Sequence, residues 1–180
     1  MDRMWSPWRS EYMEEAAQHT PSEEGASIFT QKVEADDDAD NLVLWRGEHV
    51  FVLMNLYPYN NGHLLIVPYR EVDAYDALTT DEQIAIAQTI DRCIGWLRRA
   101  LNPEGFNVGM NLGAAAGAGV PDHLHVHVVP RWNGDTNFMS TTNDMRVIPE
   151  ALKATYERLR AALRAASSDA DTPASDDATT

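Results

Sequence analysis

Apolar and polar residues alternate along the chain in a pattern that predicts five strands. Two short apolar runs, at residues 42–45 and 50–54, are separated by the turn-like segment Arg46-Gly47-Glu48-His49, which is typical of a hairpin. A third run, at residues 63–67, ends before Pro68 and follows the loop-like segment 55–62. Residues 31–41 are polar and acidic and predict a surface loop. The last two strands are predicted at residues 106–112 and 124–129.

Two helices are predicted by apolar residues at helical spacing. Thr80-Asp81-Glu82-Gln83 has the form of a capping box, and the helix that it opens ends at residues 102–105. The apolar face of this helix consists of Ile84, Ala87, Ile90, Ile94, Leu97 and Leu101. A last helix begins near Pro149 and carries Leu152, Tyr156, Leu159 and Leu163. The order of three strands, helix, two strands, helix predicts an α+β domain with a largely antiparallel sheet.

Composition divides the 180 residues into three segments. Residues 1–26 form a polar arm whose Trp5, Trp8 and Tyr12 are expected to dock on the body or on a second subunit. Residues 27–165 form one folded domain. Residues 166–180 form an acidic tail that is expected to be disordered.

Charge and cysteine content restrict the partners and the compartment. The formal charge of −14 argues against duplex nucleic acid and anionic membranes as partners. No run approaches the ~18 apolar residues of a membrane span, and the first residues lack the apolar core of a signal peptide. The single cysteine, Cys93, excludes an internal disulfide and is expected in the core of the first long helix. We therefore expect a cytoplasmic protein.

Three of the six histidines fall within five residues, in the segment His123-Leu124-His125-Val126-His127. Because alternate residues of a strand share a face, the three imidazoles line one side while the residues between them face the core. Imidazoles without partners are costly to bury, so this pattern indicates a functional site.

Two kinds of chemistry fit three imidazoles on one face. A metal site on a strand needs a further ligand, for which Asp122, His49 or His63 is available. Alternatively, a neutral imidazole attacks a phosphoryl centre, and its neighbours orient it and donate hydrogen bonds to the phosphate oxygens.

The histidine segment resembles the motif that defines the histidine-triad family of nucleotide hydrolases and transferases. Asn55-Leu56-Tyr57-Pro58-Tyr59-Asn60-Asn61-Gly62-His63 resembles the upstream element of the same family, in which Asn or Asp precedes a Gly-His strand by eight residues. Two further segments, Met4-Trp5-Ser6-Pro7-Trp8-Arg9 and Pro130-Arg131-Trp132-Asn133-Gly134-Asp135, are similar to a subgroup that contains diadenosine tetraphosphate phosphorylase-like proteins. The resemblance covers about Met4 to Leu163.

The resemblance implies a role for each matching residue. His125 corresponds to the nucleophile that forms a nucleotidyl-histidine intermediate. His127 and His123 correspond to the flanking histidines, of which His127 donates to the α-phosphate and His123 helps to fix the triad. His63 corresponds to a fourth active-site histidine, and Asn55 to a ligand of the ribose hydroxyls.

Further residues are assigned to the nucleotide by their place in the chain. Asn111 lies where the family places a side-chain amide near the phosphates. Gly117 and Gly119 are expected to offer backbone N–H groups to a phosphate, and Trp132 either covers a base or makes a subunit contact. The resemblance also implies a five-stranded antiparallel sheet and a homodimer or higher homo-oligomer.

Two departures from the family pattern affect the expected chemistry. Some relatives carry Cys-x-x-Cys as half of a structural zinc site, and Ser27 and Thr30 stand at the corresponding positions, so no zinc is expected. The phosphate loop has Gly117-Ala118-Gly119-Val120 in place of the Gly-Gln-Ser or Gly-Gln-Thr of hydrolase branches. The loop therefore leaves the choice between hydrolase and phosphorylase open.

The sequence predicts an enzyme that cleaves a dinucleoside polyphosphate at the α-phosphate through histidine, with water or phosphate as the acceptor. It requires no cofactor, although Mg²⁺ on the substrate phosphates is compatible with the reaction. Two alternatives stay open: a nucleotide-binding regulatory protein with weak activity, and a strand-based metal hydrolase.

Overall fold

The fold of the protein, taken from a computed structural model, is described for residues 25–135 and 151–170, with side chains up to residue 166. Five strands form one antiparallel sheet in the order β1-β2-β3-β5-β4. The strands are β1 (Val43–Arg46), β2 (Val50–Met54), β3 (Leu64–Pro68), β4 (Gly105–Met110) and β5 (Val126–Arg131). The helices are α1 (Ile28–Glu34), α2 (Thr80–Leu101) and α3 (Leu152–Ala170). The predicted α+β class and antiparallel sheet are confirmed.

The sheet has an apolar core on each face. On one face, α2 and α3 cover side chains from the central strands, among them Val52, Ile66, Val126 and Val128. On the other face, α1 covers a smaller cluster made of Phe29, Val33, Val43, Phe51, Leu53, Leu65 and Val67. Because β2 and β3 are buried on both faces, they are apolar without interruption, whereas a strand with one wet face would alternate.

Helix α2 begins one residue earlier than the sequence predicted. Its N-cap is Thr79, whose side chain accepts a hydrogen bond from the backbone N–H of Glu82, and the Glu82 carboxylate accepts one from the Thr79 N–H at 2.7 Å. The predicted cap at Thr80 is wrong because Glu82, held also by Arg70 at 2.6 Å, completes the box from Thr79. The helix ends at Asn102 in the left-handed conformation, as expected.

The buried face of α2 is rotated from the predicted one. Ile84 is 49% exposed, whereas Ile86 and Cys93 are buried in the core that α2 shares with the sheet. Cys93 therefore has the predicted packing role, and burial raises the pKa of its thiol. The last helix buries Tyr156, Leu159 and Leu163, as its spacing predicted.

Helix α1 was not predicted, and its residues overlap the expected loop at 31–41. A helix of seven residues shows too little periodicity to be recognised, although Phe29 and Val33 are buried one turn apart. Helix α3 continues to Ala170 and so overlaps the first residues of the predicted tail at residues 166–180. The arm at residues 1–24, Pro149 and residues 171–180 lie outside the described residues.

Within residues 25–135 and 151–170, no helix combines the length and the apolarity that crossing a membrane requires.

Gly62 connects the loop after β2 to His63, the residue that precedes β3, and it provides a test of the fold. Its φ is +76°, and a Cβ there would collide with the side chain of Leu101 and lie 3.1 Å from Leu97 Cδ2. We predict that Gly62→Ala lowers the free energy of unfolding by about 1–2 kcal/mol, the cost of a left-handed residue with a side chain.

Gly95→Ala is the matched control, because a Cβ on Gly95 meets no atom within 4 Å and the residue lies inside α2. It should stabilise the protein by about 0.5–1 kcal/mol. Urea denaturation of both variants checks the pair, and equal effects would contradict the assigned backbone strain.

Candidate active site

The three alternating histidines lie on the α1 face of the sheet. Strand β5 begins at Val126, so of the three only His127 lies within the strand, while His123 and His125 precede it in an extended segment. The alternation still holds, because Leu124, Val126 and Val128 are at most 2% exposed and belong to the α2–α3 core. The predicted placement of the imidazoles on one face is therefore correct.

The ring of His125 is oriented by the backbone. Its Nδ1–H donates to the carbonyl oxygen of His123 at 2.9 Å. A neutral imidazole has one N–H and one lone pair, so this hydrogen bond leaves the lone pair on Nε2. His125 is 6% exposed and its ring centroid lies 5.0 Å from that of Phe29. Burial lowers the pKa of His125, which keeps the ring neutral.

A second backbone group fixes the protons on His63 and His127. The Tyr59 N–H donates to Nδ1 of His63 at 3.0 Å, so the proton of His63 is on Nε2. That nitrogen donates to Nδ1 of His127 at 2.9 Å, and the proton of His127 is therefore on Nε2. The three residues form a relay in which a main-chain donor determines which nitrogen of a distant ring carries hydrogen.

The relay ends in a donor without a protein partner. Among the buried side-chain nitrogens and oxygens of the described residues, His127 Nε2 is the one atom with no hydrogen-bond partner. Leaving a buried donor unpaired costs about 1–3 kcal/mol, and such a group in a native structure is typical of a ligand site. The ring centroids of His125 and His127 lie 4.9 Å apart, so this donor and the His125 lone pair belong to neighbouring rings.

Burial sets the charge of the triad. It lowers the pKa of His127 to about 4, helped by repulsion from a charge on His125, and it also lowers the pKa of His123. The ordinary pKa of histidine is about 6.5, so the three rings are neutral at pH 7. A neutral imidazole is the nucleophilic form.

Both ring nitrogens of His123 are used in holding the ring. Nε2–H donates to the carbonyl oxygen of Pro68 at 2.8 Å, at the end of β3, and Nδ1 lies 2.5 Å from Ser27 Oγ, which donates to it. The side chain is 0% exposed and its ring packs edge-on against Phe29. His123 is therefore a fixed structural part of the site, which agrees with the role that the resemblance gave it.

The side chains at the positions of the family's Cys-x-x-Cys do not fit zinc. Ser27 and Thr30 offer neutral hydroxyls, and their protons go to His123 and to the carboxylate of Glu71. Structural zinc sites are built from thiolates and imidazoles with free lone pairs. Residues 25–135 and 151–170 also contain no group of three or more His, Cys, Asp or Glu side chains arranged for a metal ion.

The other predicted site residues lie at different distances from the triad. Asn55 is adjacent to it, with Nδ2 3.4 Å from His63 Nδ1 and its side-chain oxygen bound by the Tyr57 N–H. Asn111 Nδ2 donates to the carbonyl oxygen of Gly117 at 3.3 Å, which fixes the loop that runs from β4 to His123. Gly117 has a φ of +84°, and its N–H, which was predicted to face a phosphate, instead donates to the carbonyl oxygen of Ala114 at 2.9 Å as the C-cap of a short turn. Half-buried Gly119 follows two residues later.

Trp132 lies at the end of β5, five residues beyond His127, about 16 Å along the strand. Its backbone N–H donates to Asp135, and the same carboxylate binds Arg131 and Asn60. This cluster joins the Trp132 turn to the loop before His63. These contacts test neither of the two predicted roles of Trp132, covering a base or making a subunit contact, so both roles stay predictions.

Several residues around the histidines were not predicted as site residues. Tyr59 supplies the N–H that orders the relay, and its ring stacks on His127 with 5.8 Å between centroids. Phe29 contacts two of the triad rings, and Ser27 contacts one. Glu71 follows β3 and reaches the backbone N–H of Ser27 at 2.7 Å. Tyr59 and Glu71 lie within a few residues of the Gly-His segment and β3 along the chain, and that closeness is the sequence signal by which they could have been found.

Comparison with known proteins agrees with this geometry. AP-4-A phosphorylase from Mycobacterium tuberculosis is 41% identical over 162 residues, which cover 88% of this chain and 83% of that protein. Bis(5'-adenosyl)-triphosphatase from Saccharomyces cerevisiae is 35% identical over 94 residues, which cover 50% of this chain and 44% of that protein. A Zn-bound histidine triad family protein from Mycobacterium smegmatis has a similar structure, with a TM-score of 0.66 and 27% identity over 80% of this chain and 97% of that one.

The family model for the HIT domain matches residues 36–134, which include the sheet, the phosphate loop and all three histidines. Together with the identity to the mycobacterial phosphorylase over most of both chains, the match establishes the family. The chain belongs to the HIT domain family.

Proposed function

We propose that the protein is a nucleotidyltransferase that cleaves a dinucleoside polyphosphate at the α-phosphate, with His125 as the nucleophile. The observation that carries the proposal is that two neighbouring rings have complementary free groups, a lone pair on Nε2 of His125 and an unpartnered Nε2–H on His127. A lone pair beside a buried donor is complementary to a phosphoryl group, whose phosphorus accepts electrons and whose oxygens accept hydrogen bonds.

In the first step, the His125 Nε2 lone pair forms a bond to the α-phosphorus. The bond from that phosphorus to the bridging oxygen breaks, and its electron pair leaves on the departing polyphosphate. His127 Nε2–H donates to an α-phosphate oxygen as charge gathers there. The imidazole of His125 becomes positive, and the hydrogen bond from Nδ1–H to the His123 carbonyl stabilises that charge.

In the second step, an acceptor oxygen attacks the phosphorus and releases His125 with its lone pair. We propose inorganic phosphate as the acceptor, so that diadenosine tetraphosphate gives ATP in the first step and ADP in the second. The support is the 41% identity to a protein named AP-4-A phosphorylase. In the loop before His123, the N–H groups of Ala116 and Gly117 donate to carbonyl groups of the loop itself. We therefore propose the N–H of Gly119 as the main-chain donor to phosphate where side-chain donors are missing.

The remaining partners are assigned by the same chemistry. We propose Asn55 for the ribose hydroxyls, because it lies beside His63, and Asn111 and Gly119 for the phosphates. Gly117 shapes the phosphate loop through its hydrogen bonds to Ala114 and Asn111. The reaction needs no cofactor, and Mg²⁺ enters only with the substrate phosphates. The metal hydrolase alternative is not supported, because His127 accepts at Nδ1 and so carries its proton on Nε2, and both ring nitrogens of His123 are engaged in hydrogen bonds. Among the three triad rings, only His125 then has a lone pair for a metal ion. The cytoplasmic location and the three-segment division stay predictions.

Product analysis tests the reaction. With diadenosine tetraphosphate and phosphate, we expect equal amounts of ATP and ADP, and without phosphate we expect ADP formation to stop. His125→Asn should abolish turnover while nucleotide binding is retained, since only the nucleophile is lost. AMP with ATP in either condition would show a hydrolase. Retention of a tenth of the wild-type rate in His125→Asn, about 1.4 kcal/mol of barrier, would exclude the nucleophilic role.

The pH dependence tests the neutral triad. Because burial lowers the pKa of His125, the nucleophile stays unprotonated as the pH falls through the ordinary histidine value of about 6.5. We expect the acid limb of kcat/KM to lie below pH 6.5. Thermal unfolding over the same range is the control. The unfolded chain binds protons that these buried rings do not, so the free energy of unfolding decreases as the pH is lowered below about 6.5. An acid limb at or above pH 6.5 in folded protein would contradict the assignment.

We also propose that two copies pair through β4. The sheet has two edges, and at β1 the carbonyl groups of Val43 and Leu44 accept hydrogen bonds from Tyr156 and Arg160 of α3. At β4, residues 107–109 are exposed, Val108 by 43%, and the strand GFNVGM carries no charge. An uncharged, exposed edge strand favours pairing with a second strand. The contribution of the arm at residues 1–24 to this contact stays a prediction.

Light scattering tests the pairing. Val108→Lys should shift the protein from dimer to monomer, because an edge lysine opposes strand addition and like charges meet across a twofold axis. Tyr75→Lys, which replaces an apolar residue of similar exposure outside β4, is the control and should leave the mass unchanged. A dimer that persists in Val108→Lys would place the interface elsewhere.

A further inference from the structure

A chain of hydrogen bonds leads from the surface carboxylate of Glu71 to the nucleophile proposed above. Glu71 Oε1 accepts from the backbone N–H of Ser27 at 2.7 Å and from the hydroxyl of Thr30 at 2.5 Å. Ser27 in turn donates its hydroxyl proton to His123 Nδ1 at 2.5 Å. The residues come from three distant parts of the chain, 44 positions apart for Ser27 and Glu71 and 96 for Ser27 and His123.

The direction of each hydrogen bond is fixed by the one before it. Nε2 of His123 donates to the Pro68 carbonyl, so Nδ1 must accept, and the Ser27 hydroxyl must donate. The Ser27 oxygen then accepts the N–H of Thr30 at 3.2 Å as the N-cap of α1. The carboxylate of Glu71 accepts both groups that reach it, and these hydrogen bonds lower its pKa and keep it charged.

The end of the chain is the carbonyl group that orients His125. His123 is fully buried and is held at both ring nitrogens, so its backbone has little freedom to rotate. The same residue presents the carbonyl oxygen that accepts His125 Nδ1–H at 2.9 Å. Movement of the His123 ring would therefore shift the acceptor that decides which nitrogen of His125 carries the lone pair.

We propose that Ser27 is a positioning residue for the reaction, acting on His125 through the ring and the carbonyl group of His123, and that Glu71 holds Ser27 in place. The proposal rests on the proposed function of His125. In this proposal, the hydroxyls of Ser27 and Thr30 act with the carboxylate of Glu71 to fix His123. Ser27 and Thr30 stand at the positions where some relatives have thiolates. Ser27 touches no reacting atom, so its loss should affect the orientation of the nucleophile and leave the nucleotide contacts intact.

The test replaces Ser27 by Gly and by Thr. Glycine is nearly as good an N-cap as serine, whereas it removes the hydroxyl that reaches His123. We expect Ser27→Gly to lower kcat for diadenosine tetraphosphate about tenfold with KM within about twofold, the range for loss of a group that orients a functional imidazole. Ser27→Thr keeps both the hydroxyl and the cap and should restore kcat to within about threefold.

A readout independent of turnover accompanies the kinetics. In ¹H–¹⁵N spectra of the ring nitrogens, wild-type His125 should show a protonated Nδ1 and an unprotonated Nε2. Ser27→Gly should give an average of the two tautomers, and Ser27→Thr should return the wild-type pattern. If the wild-type protein does not cleave the substrate, the proposed function fails, and these spectra still decide whether Ser27 orients His125.

A double-mutant cycle tests the place of Glu71. We expect Glu71→Ala to lower kcat about threefold, and Ser27→Gly/Glu71→Ala to be no slower than Ser27→Gly alone, because Glu71 acts through Ser27. Glu104→Ala, which removes another exposed carboxylate bound to a backbone N–H, is the control for the loss of a surface charge. Additive losses in the double variant would overturn the linkage.

Two results would overturn the role of Ser27. One is a Ser27→Gly protein with wild-type kcat and wild-type His125 spectra. The other is a loss of kcat that is equal in the Gly and Thr variants and follows their melting temperatures, which would reduce Ser27 to a helix cap.

Discussion

The active-site geometry depends on a single main-chain hydrogen bond, from His125 Nδ1–H to the carbonyl oxygen of His123. An imidazole presents its lone pair on whichever nitrogen is not protonated, so an acceptor at Nδ1 places the lone pair of His125 on Nε2. The relay from Tyr59 through His63 does the opposite for His127 and places a donor on its Nε2. Backbone groups thus give two chemically identical side chains, two residues apart, complementary functions.

Burial and hydrogen bonding act together in this arrangement. The sheet carries the histidines on the face covered by α1, where desolvation lowers the pKa of each triad ring and keeps it neutral. Neutral rings need a defined tautomer, which the carbonyl group of His123 supplies for His125 and the N–H of Tyr59 supplies, through His63, for His127. The same burial leaves the His127 donor unpaired until a ligand accepts from it, so the site is complementary to an anion while the protein as a whole carries a charge of −14.

The sequence was most informative where the signal was local and periodic. The spacing of His123, His125 and His127 predicted a shared face, because alternation is a property of any strand. The position of His63 beside them followed from the resemblance of the Gly-His segment to the family. Boundaries were less accurate. The N-cap of α2 lies one residue earlier than predicted, because two threonines precede the same acidic cluster. The buried face of α2 includes Ile86 and Cys93 and leaves Ile84 exposed.

The sequence pattern could not predict contacts between distant segments. These contacts include the hydrogen bonds that set the tautomers of His127 and His123. Nothing near Ser27 indicates that it meets a histidine 96 positions later, and α1 itself is too short to be recognised by periodicity. The sequence did show that the two thiolates of the zinc site found in some relatives are replaced by Ser27 and Thr30. A buried imidazole needs a hydrogen-bond partner at each ring nitrogen. At His123 Nδ1 that partner is the hydroxyl of Ser27, which stands at one of these positions, and the segment that carries it is held by the N-cap hydrogen bond to Thr30 and by the carboxylate of Glu71.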